Sequence, residues 1–273
     1  VIDVITVRGT GNTSGPRNGM CGLVARKLNV AKFSLSDCNY PATIGEIGRL
    51  PGQRAYPLDV SVDLGVADLA WQVRETKNRV GLISYSLGGI VVSRFLEKVQ
   101  RGELLNANGT KLDVAFAVNI ANPARAKGDS AVPAPGYGLH SSHGKWPANT
   151  VTLELANPRD IITSAPANSP VRRITGAISP YAAMEQRKAL GGRDVVNEAA
   201  DEVHAINDRD WFSRFRPGRY SEAIEGLIGY LAPYGRPGRT QHTMYGVEPY
   251  PFGLYGETWT DYAARWINEG WGK

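Results

Sequence analysis

Two cysteines, three methionines and four histidines in 273 residues leave several kinds of chemistry out of reach. Two cysteines are too few for a disulfide scaffold or a four-ligand zinc site. No stretch approaches the ~18 uninterrupted apolar residues of a membrane-spanning helix. The most apolar segment, residues 80–92, is broken by two serines and three glycines. Blocks of one charge sign are missing too: 31 lysines and arginines oppose 26 aspartates and glutamates, a net charge of +5. The densest basic group, six arginines from Arg209 to Arg239, is interleaved with Asp208, Asp210, Glu222 and Glu225. That pattern is a solvated mixed-charge face rather than a nucleic-acid arm. No internal repeat is present. The remainder is of globular composition, 42% apolar and 21% charged. A chain of this length buries roughly three quarters of its unfolded surface without staples.

Short runs rich in Val, Ile and Phe alternate with helical patterns, the signature of a parallel sheet covered by helices on both faces. The spacing predicts strands over residues 3–8, 31–37, 79–85, 113–120 and 151–156. Apolar Val62, Val66, Leu69, Ala70 and Val73 recur at helical spacing in a segment ending near Lys77. Further helices are predicted over 20–28, 90–99 and 258–268, the last with Trp259, Tyr262, Ala263 and Trp266 as a core-facing stripe. Between residues 165 and 239 the alternation breaks. Helical patterns over 185–190, 195–206 and 221–231 read as an insertion, bounded by Pro166 and Pro170 before and Pro233, Gly235, Pro237 and Gly238 after. The whole chain, 1–273, is read as a single α/β domain carrying this insertion. Cys21 and Cys38 fall toward one end of the first helix–strand unit. A bridge worth about 3 kcal/mol in the chain-entropy model and a pair of buried thiols are both compatible with that placement. Residues 2–7 already read as a core strand, so no secretion signal is visible at the start, and the absence of an initiating Met is compatible with one already cleaved.

The chemistry concentrates in Val80-Gly81-Leu82-Ile83-Ser84-Tyr85-Ser86-Leu87-Gly88-Gly89-Ile90-Val91-Val92, a strand, a tight turn and a helix. A serine at such a turn is forced into a strained conformation that lifts its hydroxyl clear of the sheet, and small residues two before and two after allow the close approach. Ser84 and Gly88 fill those places around Ser86. Ser84 stands where glycine is usual, a source of mild crowding. The bland alternative for Ser86 is an ordinary helix N-cap.

A serine hydroxyl needs a histidine to take its proton and an acid to orient that histidine, in the chain order Ser, acid, His for this architecture. Asp160 lies just after the strand over 151–156, at the sheet edge where the elbow opens. His242, on the return from the insertion, is the preferred base over His204, which falls within a predicted helix beside Asp201 and Glu202. The oxyanion requires two backbone donors. Leu87 supplies one and Thr10, in the glycine loop Arg8-Gly9-Thr10-Gly11-Asn12-Thr13-Ser14-Gly15, the other. That loop, with Asp37 ending the next strand, also permits a nucleotide-binding reading. Its spacing is G-x-G-x-x-x-G, however, and no tyrosine has a lysine four residues later, as a short-chain dehydrogenase would need. His140 and His143, without carboxylates nearby in sequence, make a weak metal site. No metal or cofactor is called for.

Arg8-Gly9-Thr10-Gly11-Asn12, Ser84-Tyr85-Ser86-Leu87-Gly88, Asn122-Pro123-Ala124-Arg125-Ala126-Lys127-Gly128, Pro158-Arg159-Asp160-Ile161 and His242-Thr243-Met244-Tyr245 resemble, in this order, the lysin B esterases of phages that infect mycolic-acid-containing bacteria. These are relatives of cutinase with the α/β-hydrolase fold. The resemblance runs from Val1 to the C-terminus and includes the insertion, which cutinases lack. It implies a serine esterase that cuts the ester joining mycolic acids to arabinogalactan, made in the host cytoplasm and acting at the lipid-rich outer envelope during lysis by peripheral contact. Ser86, Asp160 and His242 occupy the positions matching that family's triad. Leu87 stands where glutamine is frequent, and Arg8-Gly9 is nearer to cutinases. A general lipolytic esterase acting on acylglycerols or polyesters is the alternative enzyme, and a silent domain binding cell-wall glycans or lipids is the alternative class.

Overall fold

A computed structural model describes residues 1–45, 47–167, 172 and 241–272. Most of the predicted insertion, its three helices, the arginine-rich segment and His204 lie outside the described residues.

The strands are β1 (Ile2–Val7), β2 (Phe33–Asp37), β3 (Arg79–Tyr85), β4 (Phe116–Ile120) and β5 (Val151–Leu155). All pair in parallel, in the order β2-β1-β3-β4-β5. The helices are α1 (Gly19–Ala25), α2 (Leu58–Glu75), α3 (Leu87–Arg101), the short α4 (Ile161–Ser164) and α5 (Trp259–Trp271), with a 3₁₀ helix over Gln241–Gly246. Among the described residues the predicted strands, and the predicted helices outside the insertion, are therefore present. The second and fourth strands start two and three residues later than predicted, at Phe33 and Phe116. The chain enters β2 through a turn in which Asn29 side-chain and backbone oxygens hold Ala31, Lys32 and Phe33.

Both faces of the sheet are covered, so the inner strands β1, β3 and β4 are largely apolar, while β2 and β5, outermost among the described strands, alternate with polar residues. On one face Ile5, Val7, Val80, Leu82 and Ala117 pack with α2 and α3 residues such as Val66, Leu69, Val91 and Phe95. On the other, Val4, Ile83, Phe116, Val118 and Ile120 pack with Cys21 and Val24 of α1 and Trp259, Ala263 and Ile267 of α5. The capping box between Thr258 and Asp261 starts α5 at the residue that sends Trp259 inward. This layering decides the cysteine question. Cys21 belongs to the α1/α5 layer and Cys38 to the α2/α3 layer, so the sheet separates them and both are buried free thiols. Each sulfur lies 3.5 Å from a backbone carbonyl, that of Val7 and that of Gly65. Desolvation raises both thiols above their ordinary range.

Going from β1 to β3 the chain switches from adding strands on one side to adding them on the other. In open parallel sheets the crevice outside the strand ends at such a switch is where ligands bind. The ends of β1 and β3 carry Gly9 and Ser86.

Candidate active site

Ser86 sits between the last residue of β3 and the first of α3, with φ 52° and ψ −120°. A left-handed φ at a residue with a Cβ costs of order 1–3 kcal/mol and persists only where the surroundings impose it. Here they do. The Ser86 N–H donates to Ile120 O at 3.0 Å and its carbonyl accepts from Gly89 N at 2.7 Å, locking the turn to the end of β4 and to the first helical turn. Gly88 is required: a Cβ there would lie 2.0 Å from Val7 O. Ser84, expected only to crowd, instead has a defined partner, since its hydroxyl donates to Asn119 Oδ1 on the neighbouring strand.

Asp160 follows β5 and caps α4, its Oδ1 accepting from Ile162 N at 3.0 Å. That bond turns Oδ2 toward His242, whose Nδ1 is 2.9 Å away. The other imidazole nitrogen, Nε2, lies 2.8 Å from Ser86 Oγ. With Asp160 accepting from Nδ1–H, Nε2 is left with the lone pair that faces the serine hydroxyl. Tyr85 stacks on the imidazole at 5.4 Å between centroids and donates from its hydroxyl to His242 O at 3.0 Å. Ser86, Asp160 and His242 are all at most 3% exposed, so these bonds run in a medium of low dielectric. The structure brings together three residues separated by up to 156 positions.

The glycine loop lies against this elbow. A Cβ on Gly9 would be 2.6 Å from the Tyr85 ring and 3.2 Å from Ser86 Cβ, so only glycine lets the loop carrying Thr10 come this close. Leu87 opens α3, where the first backbone N–H groups lack partners inside the helix. Asp37, on which a nucleotide-binding reading depends, is otherwise engaged. Its carboxylate accepts from Thr6 Oγ1 at 2.7 Å, Gly15 N at 2.8 Å and Arg8 Nη1 at 3.2 Å, tying the glycine loop to β2.

Beneath the elbow is a buried polar network with no evident signal in the sequence. Glu154 of β5 accepts through Oε1 from Asn119 Nδ2 at 2.7 Å and Asn122 Nδ2 at 3.1 Å, and Asn122 Nδ2 also reaches Ser93 Oγ at 3.1 Å. Its Oε2 has no hydrogen-bond partner among the described residues. Burial, the largest influence, raises the Glu154 carboxyl from 4.5 to about 8. Arg125, fully buried nearby, donates to the carbonyls of Thr163, Ala126, Pro135 and Gly136 and so anchors α4 next to Asp160.

A stability prediction follows from Glu154. Its folded value lies above its unfolded one, so the stabilisation is complete below about pH 4.5 and is lost as pH rises toward about 8. Glu154→Gln keeps the acceptor for both asparagines and removes the titration. The variant is expected to gain on the wild type as pH rises from 5 to 8, by on the order of a few kcal/mol at the upper end. Thermal unfolding at the two pH values checks this, and parallel curves for the two proteins would contradict it.

The other two described histidines, His140 and His143, lie elsewhere. His143 stacks on Trp146 at 3.7 Å, and the fold brings Asp129 Oδ2 to 3.2 Å from its Nε2. Burial lowers the values of both His140 and His143. Among the described residues no group of three or more His, Cys, Asp or Glu is placed to hold a metal, and no helix is long and apolar enough to cross a membrane.

No protein-family model matches the chain, and no curated protein matches it significantly. Among solved structures it is similar to lysin B from Mycobacteriophage D29, at 21% identity, covering 82% of this chain and 98% of that one, with a TM-score of 0.52. Weaker likenesses are to an acetyl xylan esterase (21% identity, 66% and 92% coverage, TM-score 0.46) and to a cutinase-like protein from Cryptococcus sp. (15%, 66% and 90%, TM-score 0.41). The sheet order, its flanking helices and the first of these likenesses make this an α/β-hydrolase fold.

Proposed function

We propose that the chain is a serine ester hydrolase whose substrate is the ester between mycolic acids and arabinogalactan. The observation that carries the reaction is the continuous relay from Asp160 Oδ2 through His242 to Ser86 Oγ, at 2.9 and 2.8 Å, on loops at the switch point of the sheet. Ser86 Oγ attacks the ester carbonyl carbon while its proton passes to His242 Nε2. The oxyanion is held by the backbone N–H groups of Leu87 and Thr10. Collapse breaks the carbonyl–alkoxy bond, and His242 returns the proton to the departing alcohol. Water, deprotonated by the same nitrogen, then attacks the acyl-serine and releases the carboxylic acid. No electron transfer or cofactor enters this balance.

The reaction class rests on the relay. The substrate rests on the resemblance of the five sequence motifs to lysin B esterases, with which action at the outer envelope of the host during phage lysis goes. Two experiments separate the readings. A fluorophosphonate probe labels Ser86 in an ester hydrolase and leaves a glycan- or lipid-binding domain unlabelled. Purified mycolyl-arabinogalactan should release free mycolic acids. Labelling without that release, together with hydrolysis of acylglycerols, would assign the chain to general lipolytic esterases instead.

A further inference from the structure

Tyr245 lies three residues after His242 in the 3₁₀ helix, where residues i and i+3 eclipse, so both side chains reach the same carboxylate. Its hydroxyl is 2.9 Å from Asp160 Oδ2, the oxygen that also meets His242 Nδ1. The direction of the bond is dictated. Asn157 N–H, 2.8 Å away, can only donate, so the hydroxyl accepts from it and spends its single proton on Asp160. The ring is fully buried against Trp259 of α5 at 5.4 Å. Burial, and next the charge of Asp160, push the phenol well above its ordinary range, so the hydroxyl stays a donor wherever the protein is folded.

Resting on the ester-hydrolase reading, we propose that Tyr245 is a positioning residue that shares Asp160 Oδ2 with His242 and thereby sets how firmly the carboxylate holds the imidazole proton. Two donors on one oxygen divide its negative charge. With the phenol present, the carboxylate orients His242 without trapping it as imidazolium, and the base remains able to accept from Ser86 and give to the leaving alcohol. Among the described residues the groups facing this pair are few. The β5–α4 loop presents Asp160 and Asn157, α4 presents the Thr163 hydroxyl, β3 presents Tyr85, the elbow presents Ser86, and the guanidinium of Arg125 lies within electrostatic reach of the phenol. Arg159 and Glu248, paired at 2.6 Å, stand one shell out with Gln241, joined through Asn157 Nδ2. Against the 3₁₀ helix α1 presents the apolar Leu23 and α5 presents Trp259.

The test reads the protonation of His242 directly by nuclear magnetic resonance of its ring, beside the pH–rate profile on a short soluble ester. Tyr245→Phe is expected to move the His242 midpoint up by about one pH unit, tenfold in proton affinity, because the freed oxygen holds the imidazolium more tightly. The rising limb of the profile should move with it, kcat should fall about tenfold and KM should stay unchanged. Since the variant also leaves Asn157 N–H unpaired, a second replacement guards against a folding defect: a ring-fluorinated tyrosine at 245 donates more strongly and should move the midpoint down. Opposite shifts support the proposal. A midpoint unmoved by both replacements in folded protein overturns it and leaves Tyr245 as packing. Absence of fluorophosphonate labelling at Ser86 in the wild type would instead overturn the ester-hydrolase reading, with the resonance midpoints still deciding the coupling to Asp160.

Discussion

Ser86→Ala is expected to fold as the wild type does and to lose nearly all ester hydrolysis, keeping only the roughly 10³ to 10⁴ over water that binding and oxyanion donors provide in serine hydrolases. Alanine has the same Cβ, so the positive φ at this position and the backbone bonds to Ile120 and Gly89 are retained. What disappears is the oxygen 2.8 Å from His242 Nε2. The control is Ser84→Ala. It removes the donor to Asn119 Oδ1, a stability effect of about 1–3 kcal/mol from an unpaired buried acceptor, with little change in turnover. Steady-state rates and thermal unfolding on both variants decide the matter: half of wild-type turnover in Ser86→Ala, with loss in Ser84→Ala, would mean that the nucleophile is misassigned.

His242→Ala should cost several orders of magnitude in kcat, and Asp160→Asn nearly as much, about 10⁴-fold. An asparagine has one carbonyl and one amide group to set against two demands. Ile162 N needs an acceptor at one end, and His242 Nδ1–H and Tyr245 O–H need one at the other. Whichever way the amide turns, a donor meets a donor or the imidazole takes the wrong tautomer, with its proton aimed at Ser86. In the wild type the rate should rise with pH as imidazolium gives way to imidazole, then level off, because only the neutral ring accepts the serine proton. His204→Ala should be nearly silent. Equal damage from His204→Ala and His242→Ala, in proteins of equal thermal stability, would reopen the choice of base.

The elbow was legible because everything it needs is local. A buried run, a serine flanked by small residues and a helix start within thirteen positions are enough to demand the strained turn, although the Val7 O that makes glycine necessary at 88 is brought there only by the pairing of β1 with β3. The same holds for the five strands and for α2, α3 and α5, whose apolar periodicities record burial on two faces of a sheet. Chain order narrowed the acid and the base to a few residues but left Asp160 and His242 as choices among them.

Tertiary structure decided what depends on which segments meet. Cys21 and Cys38 are seventeen positions apart, yet their separation into opposite layers follows from β1 lying between β2 and β3. Glu154 occupies the polar place in the alternation of β5 and would read as a solvent-facing residue. It is buried because Asn119, Asn122 and the residues around Ala131, whose N–H bonds Glu154 O at 2.9 Å, close over that edge of the sheet. Tyr245 entered the sequence reading only as part of a motif, since nothing in local spacing says that its hydroxyl and His242 Nδ1 converge on one oxygen of Asp160. Local pattern encodes backbone conformation and the side each residue turns to the core. The partner of a buried polar group is set by long-range packing, because its hydrogen bonds must be completed by whichever distant segment the fold brings there.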